Sequence, residues 1–398
     1  MGEAIDRAWK TALDELGAGD ADIERGLRIH RDAIVCDPVS GGARPWTHAM
    51  SALARDLIRQ GTDPQDMELQ LQEVADRDVV HDADVRSEYL EAWRRSGVTL
   101  ANDYGHMFCS WRTEGYGGLV NDAMITLRSV ARTTAVLDAL RDHLVKFRCA
   151  DDVVEAKRAG KPCIMWSTGG PPPWIEHDLG NLEIYHRLGF RQAQILYYTN
   201  RLGTQCYDRR DRGLTDAGVD YVRRLNRLGI VVDLAHCGRR AHLDAAAAST
   251  APVIDSHTGC TAIREHPRNL DDETIRAIAA TGGVVSILGG PGRRFLAEPL
   301  GGFDDWLRHV EHVAEVAGIA HVGGRGSDLS YRGSIPDDIR PHLFADAPEP
   351  MDGQLDGSFA WVAAPYFTVA LATRGYTDEE IAAMIGGNYL RVLKEVCG

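Results

Sequence analysis

The alternation of apolar and polar runs is sharpest over residues 229–257, GIVVDLAHCGRRAHLDAAAASTAPVIDSH. Two β-branched apolar runs, Ile230–Leu234 and Pro252–Asp255, each lead into a histidine, His236 and His257. The alanine-rich segment 239–249 between them carries apolar positions at helical spacing. Strand, histidine, helix, strand, histidine is the order of a βαβ unit with parallel strands. Catalytic groups in such folds gather beyond the carboxyl ends of the strands, where both imidazoles are expected side by side. So placed, they are half of a divalent-metal site, or strand-end histidines bonded to backbone.

The same pattern recurs along the chain. Apolar runs at 33–36, 97–101, 163–166, 194–198, 230–234, 252–255, 284–288 and 321–323 predict eight strands, with helical periodicity between them. A helix over 215–228 has Thr215 as its N-cap and Gly229 just past its end. Eight alternations point to an α/β fold, a (β/α)8 barrel, rather than an open doubly wound sheet. The whole chain, 1–398, then reads as a single barrel domain with N-terminal helices over 1–30. An acidic helical insertion follows strand one at about 45–95, and the loop 329–358 is long enough for a lid.

Composition narrows the class. With 44 basic against 58 acidic residues the net charge is −14, which disfavours nucleic acid and anionic membranes as partners. The start, MGEAIDRAWKTALDEL, has neither a basic n-region nor an apolar h-region, and no apolar run is long enough to span a bilayer. Eight scattered cysteines without a CxxC suggest reduced thiols. A cytoplasmic location is the expectation. Neither GxGxxG nor GxxxxGK[ST] occurs, so nothing supports a nucleotide.

The residues GLTDAGVDYVRRLNRLGIVVDLAHCG, APVIDSHTGC and REHPRNLDDETIRAIAATGGVVSI, followed by HVGGRGSDLS and GGNYLRV, resemble the renal (membrane) dipeptidase family of metallopeptidases. The likeness is dense over about 150–290 and looser over 310–398. It implies an amidohydrolase-like barrel, commonly dimeric, that uses zinc to cleave a small molecule bearing a carboxylate. By the motifs D-L-x-H, S-H and H-x-R-N it implies metal roles for His236 and His257 and carboxylate binding by Arg268. Asp328 would be both ligand and proton shuttle.

The pattern also breaks. Where the family has D-G-H-N-D, this chain has Asp37-Pro38-Val39-Ser40-Gly41, lacking the H-x-D pair. Where the family has E-G-G, it has Thr168-Gly169-Gly170, lacking the bridging Glu. A histidine after strand four is replaced within Tyr197-Tyr198-Thr199-Asn200. The expectation is therefore at most one divalent ion, zinc or another, on His236, His257 and Asp328, or none. Catalytic candidates are the same three residues. Substrate contacts are Arg268, Asn200, Tyr198 and Thr168, and replacement ligands are His106, Asp37 or Asp103. Two alternatives stay open. One is a metal-independent lyase, isomerase or decarboxylase using the histidines for proton transfer. The other is an inactive binding protein. His309 and His312, at i and i+3, read as an exposed helix face, and Cys237 as a small buried thiol.

Overall fold

The computed structural model describes residues 2–103, 122–290, 293–298, 301–343 and 357–398. His106, the end of strand two's loop, and much of the candidate lid lie outside the described residues. Eight strands follow in order, β1 (Cys36–Ser40), β2 (Leu100–Asp103), β3 (Cys163–Thr168), β4 (Phe190–Gln194), β5 (Val231–Asp233), β6 (Val253–Thr258), β7 (Val284–Leu288) and β8 (Val322–Gly326). Each pairs parallel with its successor. The chain beyond β8 returns to β1, with Asp328 N donating to Val39 O at 2.9 Å and Ser327 N to Asp37 Oδ1 at 3.0 Å. The sheet is a nearly closed (β/α)8 barrel. Helices His48–Arg59, Pro64–His81 and Ala83–Ser96 stand between β1 and β2.

Strands one and two sit further along than their apolar runs predict, at 36–40 and 100–103. Strand four is the clearest correction and is displaced the other way, to 190–194 rather than 194–198. Ile195 and Leu196 are buried, but in the layer between sheet and helices after the chain has left β4. The forward shift of strands one and two has one cause. Cys36, Leu100, Met165, Val231, Ile254, Val284 and Tyr389 form an apolar interior at the early ends of the strands. Above them the interior turns polar. Asn102 Nδ2 and Gln192 Nε2 both donate to Pro38 O, at 2.7 and 3.0 Å, and Gln192 also donates to Asp233 Oδ2 at 2.9 Å. A polar upper layer ends the apolar run before the strand ends. Pro38 lies in β1, where its carbonyl serves this network.

Local capping agrees with the sequence. The Thr215 side chain accepts from Gly218 N ahead of helix Asp216–Leu228, and Gly229 closes that helix at φ 68°. Asp82 caps helix Ala83–Ser96 by accepting from Asp84 N and Val85 N.

His309 is the second correction. It is fully buried rather than on an exposed face, because helix Phe303–Ala317 turns it under the loop after β6. Cys260 N donates to its Nδ1 at 2.8 Å and its Nε2 donates to Leu296 O at 3.0 Å, which fixes a neutral ring. Burial pushes its pKa down to about 4, and the same holds for His30. The folded-state pKa lies below the unfolded value near 6.5. The neutral rings therefore contribute in full above that value, and the contribution is lost as pH falls toward 4. Thermal midpoints should fall from pH 6.5 to 4, more shallowly in His309→Gln; parallel wild-type and variant curves would refute this.

Candidate active site at the carboxyl ends of the strands

The chain leaves β5 through Leu234-Ala235 into His236, whose backbone is left-handed at φ 70°. Asp328, two residues beyond β8, is also left-handed at φ 49°. These are the non-glycine residues with positive φ among the described residues, and both are site candidates from the sequence. A left-handed non-glycine residue costs on the order of 1 kcal/mol or more and tends to persist where function requires it. His236 is held there by Cys206 N, which donates to its carbonyl at 2.9 Å.

His257 lies within β6 and is buried. Its Nε2 stands 3.1 Å from Nε2 of His236, and its Nδ1 is 2.9 Å from Ser256 Oγ. The Ser256 hydroxyl, missed from sequence, thus aims the His257 ring at its partner. Burial, and next the Arg268 charge, push His257 down to about 3. Burial, Arg268 and His257 hold His236 well below its ordinary value. Both rings are neutral at pH 7.

Arg268 is 3 % exposed and does not pair with Asp271 or Asp272; Asp271 is held by Arg239. Its Nη2 donates to His257 O at 2.6 Å. Burial opposes the charge, but Cys206, Asp255, Tyr207 and Asp328 outweigh that and keep it ionised. Tyr197 packs its ring 4.4 Å from His236, and burial followed by the Asp328 charge raises its pKa. The mouth therefore brings together His236, His257, Arg268 and Tyr197, with Asp328 within electrostatic range of the last two.

Other candidates are occupied. Thr168 Oγ1 accepts from Gly170 N at 3.1 Å and donates to Gly170 O, bracing the turn after β3. Asn200 Oδ1 accepts from Leu202 N at 2.8 Å, while Tyr198 is exposed and meets Tyr197 edge-on. Asp103 is ion-paired with Arg44 at 3.1 Å. Asp37 accepts from Ser327, and burial raises it to about 6.

A dinuclear metal centre does not fit these residues. Gly41 has no side chain to offer, and a Cβ there would lie 1.9 Å from Ser330 Oγ, so a carboxylate at that position would require the Ser330 side chain to move. Val39 offers no donor, and among the described residues no three His, Cys, Asp or Glu side chains converge as a metal-holding group. One ion is different. Two imidazoles bound to a tetrahedral ion at about 2.05 Å have nitrogens about 3.3 Å apart, close to the 3.1 Å observed. The neutral pair fits as two ligands of a single ion.

Comparison with known proteins follows the same line. The membrane dipeptidase family, peptidase family M19, matches residues 66–339. Dipeptidase tcpJ of Claviceps purpurea (strain 20.1) is 29% identical over 278 residues, covering 68% of this chain and 60% of that protein. Dipeptidase verJ of Clonostachys rogersoniana is 28% identical over 281 residues, covering 68% and 65%. The match thus spans less than two thirds of the length of either relative. Among solved structures, an amidohydrolase from Pseudomonas aeruginosa superposes with a TM-score of 0.67 at 24% identity, covering 93% of this chain and 98% of that one. The probable dipeptidase PvdM of the same organism gives 0.71 at 18%, covering 95% and 99%. These likenesses carry the fold. With most of its length matched, the chain belongs to the membrane dipeptidase family, peptidase family M19.

Proposed function

We propose that this chain is a dipeptidase-like hydrolase that cleaves the amide bond of a small carboxylate-bearing molecule and holds at most one divalent ion on His236 and His257. The observation that carries the reading is the convergence of two neutral imidazoles, Nε2 to Nε2 at 3.1 Å, beside a buried guanidinium. Family membership supports the hydrolase class.

Each residue has a task. Arg268 binds the substrate carboxylate with the N–H groups not committed to His257 O. Tyr197 and His236, ring against ring, form part of the wall. Asp328 takes the proton from the attacking water and returns it to the leaving amine. What a divalent ion would supply at the histidine pair is Lewis-acid polarisation and a water of low pKa.

The low pKa values weigh against the histidines as a proton-transfer pair at neutral pH, since a base with pKa near 3 is almost never protonated there. Substrate turnover tests the proposal. A panel of L,L and L,D dipeptides should be hydrolysed, and the same dipeptides with a C-terminal carboxamide should not. Equal turnover of both sets would remove the role given to Arg268, and turnover of neither would remove the hydrolase reading.

A further inference from the structure

The inner face of β4 presents Gln192 and Gln194, two residues apart and one layer above the other. Gln192 is fully engaged: it donates to Pro38 O and Asp233 Oδ2 and accepts from the Tyr389 hydroxyl. Gln194, nearer the mouth, is not. It is 5 % exposed, and its Oε1 is buried without a hydrogen-bond partner among the described residues.

Its neighbours place that oxygen on the site side. Gln194 pairs in register with Asp233, three residues before His236. Three residues after Gln194, Tyr197 packs on the His236 ring. From the other flank the turn after β3 lies over it. A Cβ on Gly169 would stand 3.7 Å from Oε1, and one on Gly170 would stand 3.4 Å from Tyr197 Cβ. Thr168, where the family resemblance would put an anionic carboxylate and this chain has none, pairs in register with Ala193, the residue before Gln194.

A buried carbonyl oxygen without a donor is costly, and such a group in a native fold is commonly completed by a ligand or an ordered water. A carboxamide oxygen accepts from an N–H and has nothing to gain from an ester oxygen. We propose that Gln194 is a specificity-determining residue whose Oε1 accepts a hydrogen bond from the substrate's amide N–H, so that the site selects amides over the corresponding esters. This deepens the hydrolase reading and rests on it. A site built to bond an N–H rejects the analogue lacking it far more strongly than a missing methylene would be rejected.

The test compares L-alanyl-D-alanine with its ester analogue L-alanyl-D-lactate, in wild type and in Gln194→Met, which keeps the length and loses the acceptor. The expected result is a ratio of amide to ester kcat/KM about tenfold lower in the variant, from loss of one bond to a buried acceptor. The ester rate should be unchanged and the thermal midpoint no lower than wild type. An unchanged ratio with a lower midpoint would overturn the inference, because Gln194 would then be satisfied within the fold. Wild type that hydrolyses neither probe would instead overturn the hydrolase reading and this assignment with it.

Discussion

Replacing His257 with alanine should reduce kcat/KM by a factor of at least about 10², the lower end expected for loss of a group acting directly on the reacting bond. The same change should abolish uptake of a divalent ion. His257 is the better target of the pair for a physical reason. His236 sits at φ 70°, so alanine there would add backbone strain to the loss of the ring. His257 has ordinary strand geometry within β6, and its removal leaves Ser256 Oγ and His236 Nε2 to find new partners. Steady-state rates on dipeptides, with a melting curve to check folding, decide the matter. A folded variant with wild-type kcat/KM would exclude His257 from the chemistry.

The second large effect is expected at Asp328. Asp328→Asn keeps side-chain volume, and asparagine tolerates the left-handed backbone at φ 49° as aspartate does. The backbone bond from residue 328 N to Val39 O, which ties the last strand to the first, is unaffected. Only the ability to carry a proton is lost. We expect kcat to fall about 10²–10⁴-fold with KM changed little, the signature of a general acid–base group. If Asp328 served only to shape the loop, Asn would retain near-wild-type kcat.

How far these residues could be read in the sequence follows from where polarity falls in the barrel. β5 and β6 were legible because their β-branched runs lead directly into His236 and His257. β4 was not. Its sequence FRQAQ points Gln192 and Gln194 inward, and the apolar pair Ile195-Leu196 that looks like a strand belongs to the outer layer. The position of Gln194 becomes visible only when the register with Asp233 is known. Likewise, the helical spacing of His309 and His312 could not reveal which face is buried. The loop after β6 covers one of them, while the other reaches Asp272 at 2.8 Å. The lost carboxylate at Gly41 was legible as a missing residue type, whereas the approach of the Ser330 side chain to that glycine was not. Asp328 was identified by the motif GRGSD, whereas its strained backbone needed the structure.

The direct measurement is metal content by elemental analysis, on protein purified without added metal and again after zinc or manganese supplementation and removal of free ion. The account predicts about one equivalent per chain after supplementation in wild type and none in His257→Ala. Two equivalents in wild type would contradict it. They would require ligands beyond the histidine pair and restore a dinuclear centre that Gly41, Val39 and Thr168 do not accommodate.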